Sequence, residues 1–482
     1  MMNCVCNATY CDEMSPLGTL SPGQVAVYTS SMSGKRLERT NLNFGTSDKP
    51  NSITVKVNEN MKNQTIFGFG GALTGYQGYV ISKLDPAVQQ IVLQQIFSPD
   101  GLGYTIGRVP IGASDYSLDV YSYAEVPGDM NLTYFALGDE DIKYKIPYIQ
   151  QAQALAGGKI KLFGSPWTAP GWMKTTGSTH GGGMIKGDIN GPYYQTWAQY
   201  YVKFFEEYAK NNVSFWGFTV MNEPVGNGPP TYFLANHFNS TMHRDFIKGL
   251  LGPAIRNNPL TKNLKIMMND DNRGNVPAFV RDVYGDPIAH QYTDGFAIHF
   301  YGYYADTTWE TFTQVHEQFP DKFILYTEGS RSPVKYGSWT DSVNYMVNMI
   351  PPLNNWVNGW TDWNMVLDPS GWWGYQVPCI LVNSTYEFEK QPIYYGYAHF
   401  SKFIVPDSVV INLKINDAPY APASYMYQNL MGLAALTPFG QKVVVLNNHD
   451  ANAYYNVTLY NSQGSWVNLD LEPWSITTVI YV

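Results

Sequence analysis

Between Thr65 and Asn364, short β-branched or aromatic runs alternate with stretches of helical periodicity. This alternation constrains the chain more than any other feature. Two consecutive strands separated by a helix pair in parallel, because the helix carries the chain back to the starting edge. The strands are predicted over 65–70, 104–110, 159–165, 215–221, 264–269, 295–301, 323–327 and 359–364. Eight such βα units predict a (β/α)8 barrel. Between the strands, Asp85 precedes Pro86 as an N-cap before a proline at the first helical position, and Val88, Ile91, Val92 and Ile96 then share one face. Tyr194, Trp197, Tyr201, Phe204 and Tyr208 repeat that spacing. A further helix is expected over 142–156, stopped by Gly157-Gly158 and bent or delayed by Pro147.

After about Val405 the pattern changes to short alternating strands at 409–413, 432–436, 442–446, 452–459 and 475–482. Strand-like runs at 24–30 and 52–57 are expected to join them. The predicted organisation is therefore an immunoglobulin-like β-sandwich from 17–62 and 405–482, and a barrel from 63–364 and 393–404. A small cysteine-rich β element at 1–16 is completed by part of 365–392.

A formal net charge of -9, with no Lys/Arg stripe to neutralise phosphates, argues against a nucleic-acid partner. No run of 18 or more apolar residues spans a bilayer. The 37 Tyr and 13 Trp provide many flat faces, which suit either sugar stacking or a large aromatic core. Cys4, Cys6 and Cys11 crowd the N-terminus, while Cys379 stands alone. Their spacing lacks the paired Cys/His halves of a structural zinc site and reads better as oxidised staples. The expectation is a Cys6–Cys11 disulfide, a Cys4 whose partner is lost to N-terminal shortening, and a reduced Cys379. Seven Asn-x-Ser/Thr sequons, at Asn7, Asn63, Asn131, Asn212, Asn239, Asn383 and Asn456, fit a secretory route. The opening residues lack a basic and an apolar signal region, so a signal peptide is expected to be absent from this chain.

Two glutamates follow predicted barrel strands. Glu223 stands in Met221-Asn222-Glu223-Pro224 after the fourth, and Glu328 ends Tyr326-Thr327-Glu328 on the seventh. Functional groups of such barrels sit at the C-terminal ends of strands, so both are expected at one mouth. Hydrolysis of a glycosidic bond with retention needs one carboxyl to protonate the leaving oxygen and a second, roughly 5 to 5.5 Å away, to attack the anomeric carbon. A lone strand-end glutamate more often caps a helix or pairs with arginine. Two at one mouth among aromatics favour catalysis.

Asn222-Glu223-Pro224, Gly68-Phe69-Gly70-Gly71-Ala72, Arg108-Val109-Pro110, Ser165-Pro166-Trp167-Thr168, Gly359-Trp360-Thr361-Asp362-Trp363-Asn364, His399-Phe400-Ser401-Lys402-Phe403 and the N-terminal cysteine segment together resemble glycoside hydrolase family 30, and most fully its lysosomal members that cleave glucosylceramide. The resemblance implies Glu223 as acid/base and Glu328 as nucleophile. It implies Asp115, Trp167, Asn222 and Trp363 as sugar-binding groups, and Arg108, His299 and Tyr301 as a shell around the nucleophile. Tyr232 and Phe233 would contact the aglycone, although the match weakens at 226–238. The loop Gly329-Ser330-Arg331 carries a serine where those members have a cysteine, and 367–379 is shorter, so a different lid is expected.

No phosphate-cradling glycine loop, HExxH or Gly-x-Ser-x-Gly elbow competes with this reading, so neither a cofactor nor a metal is expected. The partners implied are a glycolipid at a membrane surface, a saposin-like activator and anionic phospholipid, on the lumenal face of the lysosome. The alternatives are a family 30 glycosidase acting on xylan, β-1,6-glucan or other β-glycosides, and a non-catalytic carbohydrate-binding protein.

Overall fold

The computed structural model describes residues 3–46, 49–225, 233–301, 308–330, 335–371, 378–416, 418–419 and 429–482. Eight parallel strands close into a barrel: β1 (Gly68–Ala72), β2 (Ile106–Ile111), β3 (Lys161–Pro166), β4 (Gly217–Thr219), β5 (Lys265–Asn272), β6 (Gly295–His299), β7 (Phe323–Glu328) and β8 (Val357–Asn364). Each pairs with its sequence neighbours, and β8 returns to β1. The eightfold alternation thus forms the barrel it predicted, with strand limits shifted by a few residues.

Period-two alternation of side chains gives the barrel interior its layers. At the N-terminal end Phe67, Trp216 and Phe323 meet edge to face or tilted, with ring centroids 5.2 to 5.5 Å apart, and plug the floor. Ile106, Phe163, Met267, Ala297 and Leu325 form a dry layer with them. Two residues further along their strands stand Arg108, Ser165, Asn269, His299 and Thr327, all buried and all polar. An apolar base therefore supports a polar mouth.

The helix Pro192–Lys210 buries Tyr194, Trp197, Tyr201, Phe204 and Tyr208 against the barrel, as its periodicity predicts. The helix expected over 142–156 begins instead with a π-helical turn, Asp141–Lys145, and continues as Ile146–Leu155 with Pro147 in its first turn. The ring of Pro147 is accommodated because a helix's first turn needs no N–H there. The wide π turn brings Lys145 onto Asp141 at 3.1 Å, with both side chains buried.

Ten strands form the second sheet, running in order from Trp466–Leu471 through Tyr455–Tyr460, Ile53–Thr65, Val409–Ile415, Leu430–Leu436, Lys442–Asn448, Ser475–Tyr481 and Gln24–Ser31 to Glu38–Asn43, with Ala418–Pro419 beside Val409–Ile415. The sheet curls over on itself, since Gly45 beyond one edge donates to Trp466 on the other at 2.9 Å. It thereby buries its own core of Val25, Val55, Leu413, Val444, Leu459 and Leu469. Thr65 pairs with Val409, so this sheet extends three residues past the limit of 62 read from sequence. A third sheet joins Cys4–Asn7 to Glu387–Lys390, Ile380–Ser384 and Val366–Leu367. Cys6 and Cys11 are bonded, and Cys4 and Cys379 are buried free thiols. No helix among the described residues is long and apolar enough to cross a membrane.

Gly70 marks the tightest strand contact. A Cβ there would lie 1.9 Å from the Ile106 carbonyl oxygen, which is backbone and cannot rotate away. Gly70→Ala is expected to destabilise the chain by about 3 kcal/mol, read as a lowered urea midpoint. An unchanged midpoint would mean that β1 and β2 can separate at little cost.

Candidate active site

Three of the barrel strands slip by one residue at the mouth. Asn269 pairs with Ala297 and Asp271 with Ile298, so Asp270 is extruded. In the same way Thr327 is passed over between β6 and β7, and Trp363 between β8 and β1. Such bulges bend a strand and re-aim one side chain. At Asp270 the re-aiming uses two successive left-handed residues, Asn269 at φ 72° and Asp270 at φ 58°, a conformation that Asn and Asp tolerate better than other residues with a side chain.

Asp270 then lies at the centre of a buried charge network. One of its oxygens accepts from Arg108 Nη2 at 2.8 Å and Thr219 Oγ1 at 2.6 Å, and the other faces His299 Nε2 at 3.1 Å and Thr327 Oγ1 at 2.6 Å. Arg108 continues the network to Glu328 through Nη1, to Asn222 Oδ1 at 2.8 Å and to Ser165 Oγ at 3.1 Å. The Tyr301 hydroxyl donates to the other Glu328 oxygen at 2.7 Å. His299 Nδ1 faces Glu223 at 3.2 Å.

Glu223, which holds φ 42° at the end of β4, and Glu328 at the end of β7 present carboxylate oxygens that fall with a His299 nitrogen inside a sphere of contacts no longer than 4.8 Å. A cation could fit that triad by distance alone. Both nitrogens of His299, however, already face carboxylates, so the donor set is arranged to hold protons.

Burial opposes charge on Asp270, but Arg108 and His299 outweigh it and drive its carboxyl far below the usual range. Burial likewise opposes charge on His299, yet Glu328, Asp270 and Glu223 raise it to about 10. Asp115 shows the opposite balance. Burial, reinforced by the charges of Glu328 and Glu223, pushes its carboxyl up to about 7, and its buried Oδ1 has no partner among the described residues. Burial takes Asp362, which accepts from Tyr345 at 2.9 Å, to about 7 as well.

Trp167 and Trp363 stack at 5.2 Å and 25°, and the Arg108 guanidinium lies 4.6 and 5.4 Å from their rings. Together they make a flat apolar wall beside the carboxylates. The structure thus gathers Arg108, Asn222, Glu223, His299, Tyr301 and Glu328 into one hydrogen-bonded network, with Trp167 and Trp363 against Arg108. Asp115 joins it through charge. Phe233 stands exposed on the loop after β4, its carbonyl tied to Gly181. Tyr232 lies outside the described residues. Asp270, Thr219, Thr327 and Ser165 were not singled out from sequence. The polar run Asn269-Asp270-Asp271-Asn272 at the end of an apolar strand was the available signal.

Residues 66–404 match the glycosyl hydrolase family 30 TIM-barrel domain. Over 99% of this chain and 93% of the relative, the sequence is 42% identical to the Caenorhabditis elegans protein named "Putative glucosylceramidase 4". It is 36% identical to lysosomal acid glucosylceramidase of Mus musculus over 93% of this chain and 87% of that protein. Among solved structures, an endo-β-1,6-glucanase superposes with a TM-score of 0.79 at 27% identity, covering 95% of this chain and all of that one.

The three raised groups titrate in two windows, Asp362 sharing that of Asp115. Asp115 binds its proton more tightly folded than unfolded, so its stabilisation is complete below about pH 4 and is lost as pH rises to about 7. His299 contributes stability that is complete below about 6.5 and lost as pH rises to about 10. Thermal midpoints measured against pH should decline across both windows. Asp115→Asn should flatten the acidic part of that decline and His299→Gln the alkaline part. A midpoint climbing steadily from pH 5 to 9 would contradict these assignments.

Proposed function

The chain belongs to glycosyl hydrolase family 30, and on that premise we propose that it is a retaining β-glucosidase hydrolysing glucosylceramide to glucose and ceramide. The observation that carries the mechanism is the short separation of the Glu223 and Glu328 carboxylates, within 4.8 Å at the ends of β4 and β7. So close an approach between one oxygen of each suits the roughly 5 to 5.5 Å pairing of a retaining site better than the roughly 6.5 to 9.5 Å with which inversion seats a water.

Glu328, held by Arg108 and Tyr301, attacks the anomeric carbon. Glu223 gives its proton to the glycosidic oxygen as that bond breaks, leaving a covalent α-glucosyl ester. Glu223 then takes a proton from water, which attacks the same carbon, releases β-glucose and frees Glu328. Asn222 accepts from Arg108 through its carbonyl, which leaves its amide N–H groups for the sugar 2-hydroxyl. Asp115 offers its half-buried carboxyl to a hydroxyl, and the Trp167–Trp363 wall supports the apolar ring face.

The lipid aglycone is supported by the glucosylceramidase names of the relatives and by the exposed Leu118, Val120, Val126, Met184 and Phe233, which lie on loops leaving β2, β3 and β4. Apolar groups around the mouth suit a glycolipid presented by a membrane surface. The same reading takes anionic phospholipid and a saposin-like activator as partners and an acidic lysosomal lumen as the working compartment. A β-1,6-glucan is the second reading, favoured by the solved glucanase.

Assaying glucosylceramide in anionic phospholipid beside β-1,6-glucan and aryl β-glucosides separates them, because turnover of the polysaccharide alone would reject the lipid assignment. Glu328→Gln should abolish turnover of every substrate. Glu223→Gln should slow substrates with poor leaving groups by about 10² to 10⁴ yet release a burst of an acidic phenol. Azide, which needs no base, should restart the Glu223 variant and give a β-glucosyl azide, while the Glu328 variant should give the α product. NMR assignment of the anomers tests the roles, and the opposite pattern would exchange them.

A further inference from the structure

A cavity of about 410 Å³ lies at the other end of the barrel, where its N-terminal face meets the second sheet. Lys159 enters it from just before β3. Ser401 and Lys402 enter from the end of the helix Pro392–Ser401, and Phe439 from the turn between Leu430–Leu436 and Lys442–Asn448. The active-site carboxylates stand at the opposite ends of these strands, roughly 20 Å away for six residues.

Its wall is mostly apolar, with Phe97 and Val405 inside and Phe439 at the rim, where 76% of that ring's residue surface is exposed. Lys159 and Lys402 line it against one acidic residue, Asp407, so its wall carries more basic than acidic residues on a chain whose net charge is -9. Lys402 donates to the carbonyls of Pro99 and Asp100 at 2.9 and 3.0 Å, so one ammonium proton remains. The Ser401 hydroxyl is buried and has no partner among the described residues.

A sugar would find too few polar groups here. A neutral hydrocarbon would leave the lysines unanswered. We propose that this seam is a binding site for a single-chain amphiphile with an anionic head, the chain packing between Phe97, Val405 and Phe439 and the head accepting from Lys159 and Lys402. The volume falls within the usual range of ligand pockets, roughly 300 to 1,000 Å³. An occupant would touch barrel, helix and second sheet together, so it would stabilise the folded chain in proportion to its saturation.

Calorimetric titration of the full chain with decyl phosphate, decanoate, decanol and inorganic phosphate, each below its aggregation limit, tests this. Either anionic amphiphile should bind at least tenfold more tightly than decanol, with inorganic phosphate weaker still, and should raise the thermal midpoint. The two anionic arms distinguish a phosphate head from a carboxylate head. Lys159→Glu and Phe439→Asp, both at the rim, should each weaken binding at least tenfold while leaving turnover of a soluble aryl glucoside, without amphiphile, within twofold of the parent. Equal binding of decanol, equal binding of inorganic phosphate, or unchanged affinity in both variants would overturn the proposal. Binding is read without turnover, so its outcome is independent of the glycosidase assignment.

Discussion

The ion pair between Arg108 and Asp270, both wholly buried inside the barrel at 2.8 Å, is the interaction on which the mouth depends. Removing two charges from water costs several kcal/mol each, and their attraction compensates only when the remaining donors and acceptors are also satisfied. Here they are. Asp270 has four donors around it, and Arg108 reaches Glu328, Asn222 and Ser165 as well as Asp270. Two cations, Arg108 and His299, balance two anions, Asp270 and Glu328.

Such a network needs a rigid support. The aromatic floor and the apolar layer above it fill the lower barrel, so the polar groups two residues further along each strand are fixed by the pleat. The bulge in β5 does the rest, since an unbroken period of two from Met267 and Asn269 would send Asp270 to the other face. Positive φ at Asn269, Asp270 and Glu223 concentrates backbone strain at the same mouth, which the packed strands below can hold in place.

This division explains what could be read from sequence. Strands and their order follow from hydrophobic periodicity, and Glu223, Glu328, Arg108 and His299 stand at or near strand ends whatever the exact register. The resemblance supplied Asp115 and the tryptophans. Asp270 was hidden because it sits where a bulge breaks the period of two, and a bulge leaves no signature in spacing. Asp141 and Lys145 were hidden for a related reason. A π turn sets them against each other within the barrel's outer wall, where Tyr123 and Tyr208 also donate to Asp141 at 2.7 and 2.5 Å. The aromatic surplus likewise serves two ends, since Trp197, Tyr200 and Tyr201 are core while Trp167 and Trp363 form the wall of the mouth.

On the proposed reading, the placement of the groups would also divide recognition of the sugar from recognition of the leaving group. Arg108, His299, Glu328 and Trp363 are borne by strands, and Asn222, Glu223 and Trp167 follow strand ends within a few residues. Their positions are therefore set by the barrel, whose geometry tolerates little change because strand backbones approach as closely as Gly70 does to Ile106. Phe233, Met184 and Leu118, by contrast, lie on long loops that can change length or composition without disturbing the barrel beneath. A chain built this way keeps its bond-breaking chemistry fixed while the group attached to the sugar varies with the loops. Relatives named for glucosylceramide and for a β-1,6-glucan can consequently share one fold.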